Sequence, residues 1–203
     1  MGTIAIVDYG VGNLKSVSNA MKFVGCSTQI TGEAADLERA DAILLPGVGA
    51  FPDAADKLRT QGLDRALIRQ AELGKPMLGI CLGMQLLFDK GYEVREADGL
   101  GLVKGKVDKI VTGQKLPHIG WNSLRFPKES PLFRDFCGGE YVYFVHSYCG
   151  YVAREEDAAA YTDYGVPVLA AVQRGNVFGC QFHPEKSGEV GLQILQHFGE
   201  LSK

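Results

Sequence analysis

The segment Gly79-Ile80-Cys81-Leu82-Gly83 holds the residue types and spacing best suited to chemistry. It is the cysteine form of the G-x-S-x-G nucleophile elbow. An apolar run at 76–80 (PMLGI) predicts a strand before it, and MQLLFDK at 84–90 predicts a helix after it. A strand that turns sharply into a helix brings its neighbours close, so side chains at 79 and 83 would clash. The same turn presents the Cys81 thiol at a helix N-terminus, where backbone N–H groups and the helix dipole favour thiolate. The N–H of Leu82 then serves as an oxyanion donor for an acyl intermediate. The competing reading is a buried cysteine beside packing glycines, since free cysteine is often core.

A thiolate nucleophile needs a proton carrier. His183 follows a strand-like run at 176–182, is fixed by Pro184, and has Glu185 two residues on. Histidine supplies acid and base function near neutral pH, and a carboxylate can hold its tautomer and orientation. His197 falls in a helical pattern and reads as a surface or packing residue. His118 and His146 sit in strand-like runs without an acidic neighbour and rank below His183 as the base. The chemistry expected is acyl transfer through Cys81, His183 and Glu185.

Pro46-Gly47-Val48-Gly49 ends another apolar strand, the place where open α/β sheets build their sites. Its two glycines let the backbone approach a substrate, or let a peptide rotate to aim a second N–H at the oxyanion. An ordinary strand-to-helix turn is the alternative. Gln85, one turn along from Cys81, either hydrogen-bonds a substrate or faces solvent. Tyr9-Gly10-Val11-Gly12 lacks the full G-x-G-x-x-G spacing, so nucleotide binding is not expected.

The elements that must position these residues alternate in the first half. Strands are predicted at 3–8, 27–31, 41–45 and 76–80. A helix follows the first, carrying Leu14, Val17, Met21 and Val24, and another spans roughly 53–73, which Gly62 can interrupt. Such alternation implies a parallel sheet with helices on both faces. The second half is strand-rich, with runs at 101–110, 118–126, 141–148, 167–173 and 176–182. Arg174-Gly175-Asn176 reads as a hairpin turn, and a last helix lies near 188–201. The expected fold class is α/β: an open, mostly parallel sheet flanked by helices, with an antiparallel extension in the C-terminal half. Residues 1–203 read as a single domain.

A net charge of -3 gives no electrostatic reason to expect nucleic acid or an anionic membrane as partner. Five cysteines without a CxxC pair argue against a disulfide framework and a zinc site, so reduced thiols in the cytoplasm are expected and no metal. No secretory leader, myristoylation pattern or membrane-length apolar run is evident.

Together these motifs resemble class I glutamine amidotransferases over nearly the whole chain, GICLGMQ at 79–85 and His183-Pro184-Glu185 matching the family's triad. VDYGVGNL at 7–14, LPGVGAF at 45–51, PHIGWN at 117–122, YFVHSY at 143–148 and HPEKS at 183–187 resemble one branch, the glutaminase subunits of imidazole glycerol phosphate synthase in histidine biosynthesis. The resemblance implies that Cys81 attacks the side-chain amide of L-glutamine, that His183 protonates departing ammonia and later activates water, and that Glu185 orients His183. It implies an oxyanion hole from Leu82 and the Val48–Gly49 region, with Gly47 and Gln85 as glutamine contacts. It places Trp121, Tyr143 and Lys186 against a cyclase partner, a (β/α)8 barrel forming a heterodimer. That partner would receive the ammonia and form imidazole glycerol phosphate and an aminoimidazole carboxamide ribotide. No cofactor is implied.

Three rivals stay open on sequence. Another amidotransferase, such as the glutaminase of pyridoxal phosphate synthesis, would keep the triad but not PHIGWN. A cysteine peptidase or DJ-1-like protein would not need Gln85. A non-catalytic regulatory subunit would have no chemical need of all three triad residues.

Overall fold

The computed structural model describes residues 2–202. Four parallel strands open the chain: β1 (Thr3–Val7), β2 (Ser27–Thr31), β3 (Ala42–Gly47) and β4 (Met77–Cys81). The side chains of β1, β3 and β4 alternate between two apolar layers, because successive residues of a strand point to opposite faces, whereas the edge strand β2 is mostly exposed. Ile4, Ile6, Leu44 and Leu78 enter one layer, while Ala5, Val7, Leu45 and Met77 enter the other. Apolar runs without polar alternation are what a parallel sheet covered on both faces requires.

The covering helices come from the connections. α1 (Leu14–Phe23) is capped by Asn13, whose side chain accepts from the Ser16 N–H at 3.2 Å. It lies on the first layer with the C-terminal α6 (Gly188–Glu200). α2 (Ala34–Arg39), α3 (Phe51–Thr60), α4 (Leu63–Glu72) and the short α5 (Leu82–Leu86) cover the second. Gly62, at φ 70°, divides the expected 53–73 helix into α3 and α4.

The MQLLFDK segment departs from expectation. Helix α5 stops at Leu86, and β5 (Phe88–Gly91) follows in place of a helix to residue 90. The carbonyls of Leu86, Leu87 and Phe88 accept from Leu100, Leu102 and Gly101 at 2.8–3.1 Å, and these bonds replace a further helical turn. Local propensity loses to tertiary pairing here. β5 joins a second sheet with β6 (Ala97–Asp98), β7 (Val103–Lys109) and β10 (Tyr148–Val152), in the order β10-β7-β5-β6. β8 (His118–Ser123) and β9 (Tyr141–His146) make a separate antiparallel ribbon. The expected run 141–148 thus breaks at Ser147 and feeds two different sheets.

β11 (Ala158–Asp163), β12 (Pro167–Arg174) and β13 (Val177–Cys180) complete the main sheet, in the order β11-β12-β13-β4-β3-β1-β2. β12 and β13 form the hairpin expected at Arg174-Gly175-Asn176. β13 lies parallel to β4 with Cys180 opposite Ile80. That register brings the chain after β13 beside Cys81.

Candidate active site

Cys81 ends β4 and begins the turn into α5 with φ 55° and ψ −112°, a region that a non-glycine residue seldom adopts. The flanking glycines are required by contact. A Cβ on Gly79 would stand 2.6 Å from the Gly83 carbonyl oxygen, and one on Gly83 only 1.8 Å from that of Leu45. Leu82 opens α5, so its N–H has no partner inside the helix.

His183 follows β13, its N–H donating to the Tyr143 carbonyl at 2.9 Å. Pro184 then starts a 3-10 turn that folds Glu185 back, placing Glu185 Oε1 2.8 Å from His183 Nδ1. The other ring nitrogen is left free of Glu185, and His183 lines the same cleft as the Cys81 thiol. Burial works against a charged ring, but the hydrogen bonds and charges of Cys81 and Glu185 outweigh it and raise His183 to about 9. The structure therefore brings Cys81 and His183 to one cleft with Glu185 bonded behind the ring, and the ring keeps its proton at neutral pH.

These groups open onto a cleft of about 390 Å³. Val48 and Gly49 form one side with Leu82, Glu93 lies near them, and Val145 to Tyr148 form the facing wall. Gly49 has φ 101°, a backbone conformation that favours glycine, and nothing lies within 4 Å of where a Cβ would be. Gly47 lies behind the cleft rather than in it. It pairs with Cys81 across β3 and β4, and a Cβ there would meet the Tyr9 hydroxyl at 2.6 Å. Gln85 does not face solvent. It is buried in the cleft wall, with Nε2 donating to the Tyr148 carbonyl and to Gln181 Oε1, both at 3.0 Å.

Trp121 and Tyr143 oppose each other on the β8–β9 ribbon, their rings edge to face at 6.1 Å. Trp121 is 55% exposed and stands beside Ile119 and Tyr141, which are as open. Lys186 is exposed at the end of the 3-10 turn. Next to it, Ser187 Oγ donates to the His183 carbonyl at 2.6 Å and accepts from the Tyr143 N–H at 3.0 Å.

His197 is a buried packing residue, bonded to the Leu132 carbonyl and to Asp135. Three site residues were given no role by sequence reasoning: Tyr9, Glu93 and Gln181; His146, ranked below His183 as the base, borders the cleft. Tyr9 Oη donates to the Pro46 carbonyl at 2.8 Å and steadies the end of β3. Glu93 Oε2 accepts from the Phe51 N–H at 2.9 Å. Gln181 Nε2 lies 3.8 Å from Cys81 Sγ, and a glutamine inside the apolar run VFGCQF was the one local sign of a polar task. A larger hollow of about 700 Å³ at 126–137 shares no residue with the cleft, and its Lys128 and Arg134 are already held by the Glu156 carbonyl and the Glu200 carboxylate.

Residues 5–200 match the glutamine amidotransferase class-I family. The chain is 49% identical to the imidazole glycerol phosphate synthase subunit HisH of Caldanaerobacter subterraneus subsp. tengcongensis, covering 98% of each chain. It is 47% identical to the same subunit of Moorella thermoacetica, covering 99% of this chain and 96% of that one. Among solved structures, PurLQS from Thermotoga maritima superposes with a TM-score of 0.81 at 23% identity over all of both chains. A structure described as glutamine amidotransferase gives 0.78 at 19% identity over 98% of each. At those identities the structures speak for the fold, whereas the sequence relatives speak for the family. The chain belongs to the class-I glutamine amidotransferases, within the HisH subunits of imidazole glycerol phosphate synthase.

Proposed function

We propose that this chain is the glutaminase subunit of imidazole glycerol phosphate synthase, with Cys81, His183 and Glu185 as its catalytic residues. The observation that carries the residue assignment is Cys81 and His183 sharing one cleft, with Glu185 held 2.8 Å from the His183 ring behind it. Cys81 Sγ adds to the side-chain amide carbon of L-glutamine, and the oxyanion is received by Leu82 N–H and a peptide of the Val48–Gly49 loop. The C–N bond breaks as His183 gives its proton to the departing ammonia, leaving a thioester. His183 then takes a proton from water, which adds to the thioester, and the C–S bond breaks to release glutamate, with the Cys81 thiolate and the protonated His183 restored. Glu93 brings a carboxylate to the cleft, which suits the α-ammonium group of the substrate.

Ammonia is passed to a cyclase partner, which forms imidazole glycerol phosphate and the aminoimidazole carboxamide ribotide. Delivery without release has a chemical basis, since ammonia in water protonates to a non-nucleophilic ion. The exposed apolar strip Ile119, Trp121 and Tyr141, with Tyr143 and Lys186 beside it, supports that side as the docking face of a heterodimer. The family match over 5–200 supports one amidotransferase domain for the whole chain. A cytoplasmic site fits the biosynthetic role, and no helix among the described residues is long and apolar enough to cross a membrane.

The test is product formation by the complex with glutamine or with ammonium as nitrogen source. Cys81→Ala should abolish the glutamine-dependent reaction and spare the ammonia-dependent one. Loss of both, or of neither, would contradict the assignment.

A further inference from the structure

Two histidines take no part in the mechanism above, His146 in the cleft wall and His118 behind it, yet as neutral rings their hydrogen bonds admit one arrangement. His118 and His146 stand opposite each other on β8 and β9, both buried, with His118 Nδ1 3.1 Å from His146 Nε2. His146 Nδ1 lies 2.8 Å from the Tyr148 carbonyl, which can only accept, so Nδ1 carries the hydrogen. A neutral ring then leaves His146 Nε2 as acceptor, and His118 Nδ1 must donate to it. His118 Nε2 is left to accept from Asn122 Nδ2 at 3.4 Å. Asn122 cannot be turned round, because Nδ2 donates to the Asp163 carbonyl at 2.7 Å while Oδ1 accepts from the Ser123 N–H at 2.9 Å.

As neutral rings, both are therefore Nδ1–H tautomers. Burial opposes a charge on each and lowers both to about 4; for His146 the bond to Tyr148 pulls the other way, and the charges of His118 and His183 add to the lowering. His118 is further clamped between Phe144 and Tyr164, with ring centroids 4.7 and 4.0 Å away. The line ends at the reaction centre. The Tyr148 carbonyl that receives His146 also receives Gln85, which holds Gln181, whose amide lies against Cys81 Sγ. His146, Tyr148 and Gln85 all border the cleft.

We infer that His118 and His146 are positioning residues, a neutral relay that fixes the Val145–Tyr148 wall and Gln85 in the geometry that receives the substrate. The inference rests on the cleft being the glutamine site. A ring flipped to the other tautomer, or carrying a second proton, would set two N–H groups face to face, and the wall would lose its tie.

The test uses the complex with the cyclase and three variants or states. His118→Phe keeps the stacking and removes the donor, and should raise KM for glutamine about tenfold while kcat changes by less than about threefold, as expected for loss of one buried hydrogen bond at a binding wall. His118→Asn places an amide nitrogen near the Nδ1 position and should hold KM within about threefold of the parent. Nitrogen-detected NMR of the unmodified chain should show both rings as Nδ1–H at neutral pH with no titration down to about pH 5. A folded His118→Phe protein with unaltered KM would overturn the inference, as would an Nε2–H tautomer or a titration near 6.5 in either ring. The NMR result needs no turnover, so it stands if a variant misfolds. A parent complex without glutamine turnover would instead count against the glutaminase reading.

Discussion

Burial holds the thiols of Cys26, Cys149 and Cys180 towards their protonated form, Cys149 being pushed up to about 11. His183 moves the other way, as an imidazole that retains its proton to about pH 9. A raised histidine pKa stabilises the folded state fully below the unfolded value near 6.5, and that contribution is lost as pH rises through 9. Glu185 is one of the causes of the rise. Glu185→Gln should therefore lower His183, move the alkaline limb of kcat/KM to lower pH, and reduce kcat by about 100-fold or more. An unmoved limb in the pH–rate profile would show that Glu185 does not set the proton on His183. Cys81, His183 and Glu185 could be picked out in the sequence because the elbow and His-Pro-Glu are local patterns. Glu93 could not, since it bonds to Phe51 across 42 residues and no periodicity marks it.

The elbow is an element before it is a site, and its glycines set how closely β4, α5 and β3 can pack. Gly83→Ala would drive a methyl into the Leu45 carbonyl, a backbone atom that cannot swing aside. The expected cost is about 3 kcal/mol, read as a shift in the urea midpoint, with glutaminase activity falling as the β3–α5 contact opens. A midpoint like the parent's would mean that the turn has slack. The strand-and-helix alternation of the first half was readable because parallel strands buried on both faces are uninterrupted apolar runs. Other elements were not. β11 is built on Ala158-Ala159-Ala160, and alanine gives little strand signal. α2 is only six residues long, and β5 exists through its partners rather than its composition.

At the scale of the whole molecule, the proposed docking ribbon and the proposed base are joined through the backbone. His183 N–H hangs on the Tyr143 carbonyl, and Ser187 links the Tyr143 amide to the His183 carbonyl. With Gly49 across the cleft, this join would give a partner docked as proposed two handles on Cys81, His183 and Glu185. The isolated chain is accordingly expected to hydrolyse glutamine slowly, and cyclase with its acceptor ligand to raise kcat by at least about 100-fold, measured by glutamate release. Equal turnover with and without the cyclase would show that the triad is complete on its own. The ribbon has an optical consequence as well. Trp121 is the single tryptophan of the chain and lies more than half open on that strip. Its indole emission should move to the blue when the strip is covered by the partner, so association can be titrated with no label attached. A cyclase free of tryptophan would leave Trp121 as the sole indole reporter of the join.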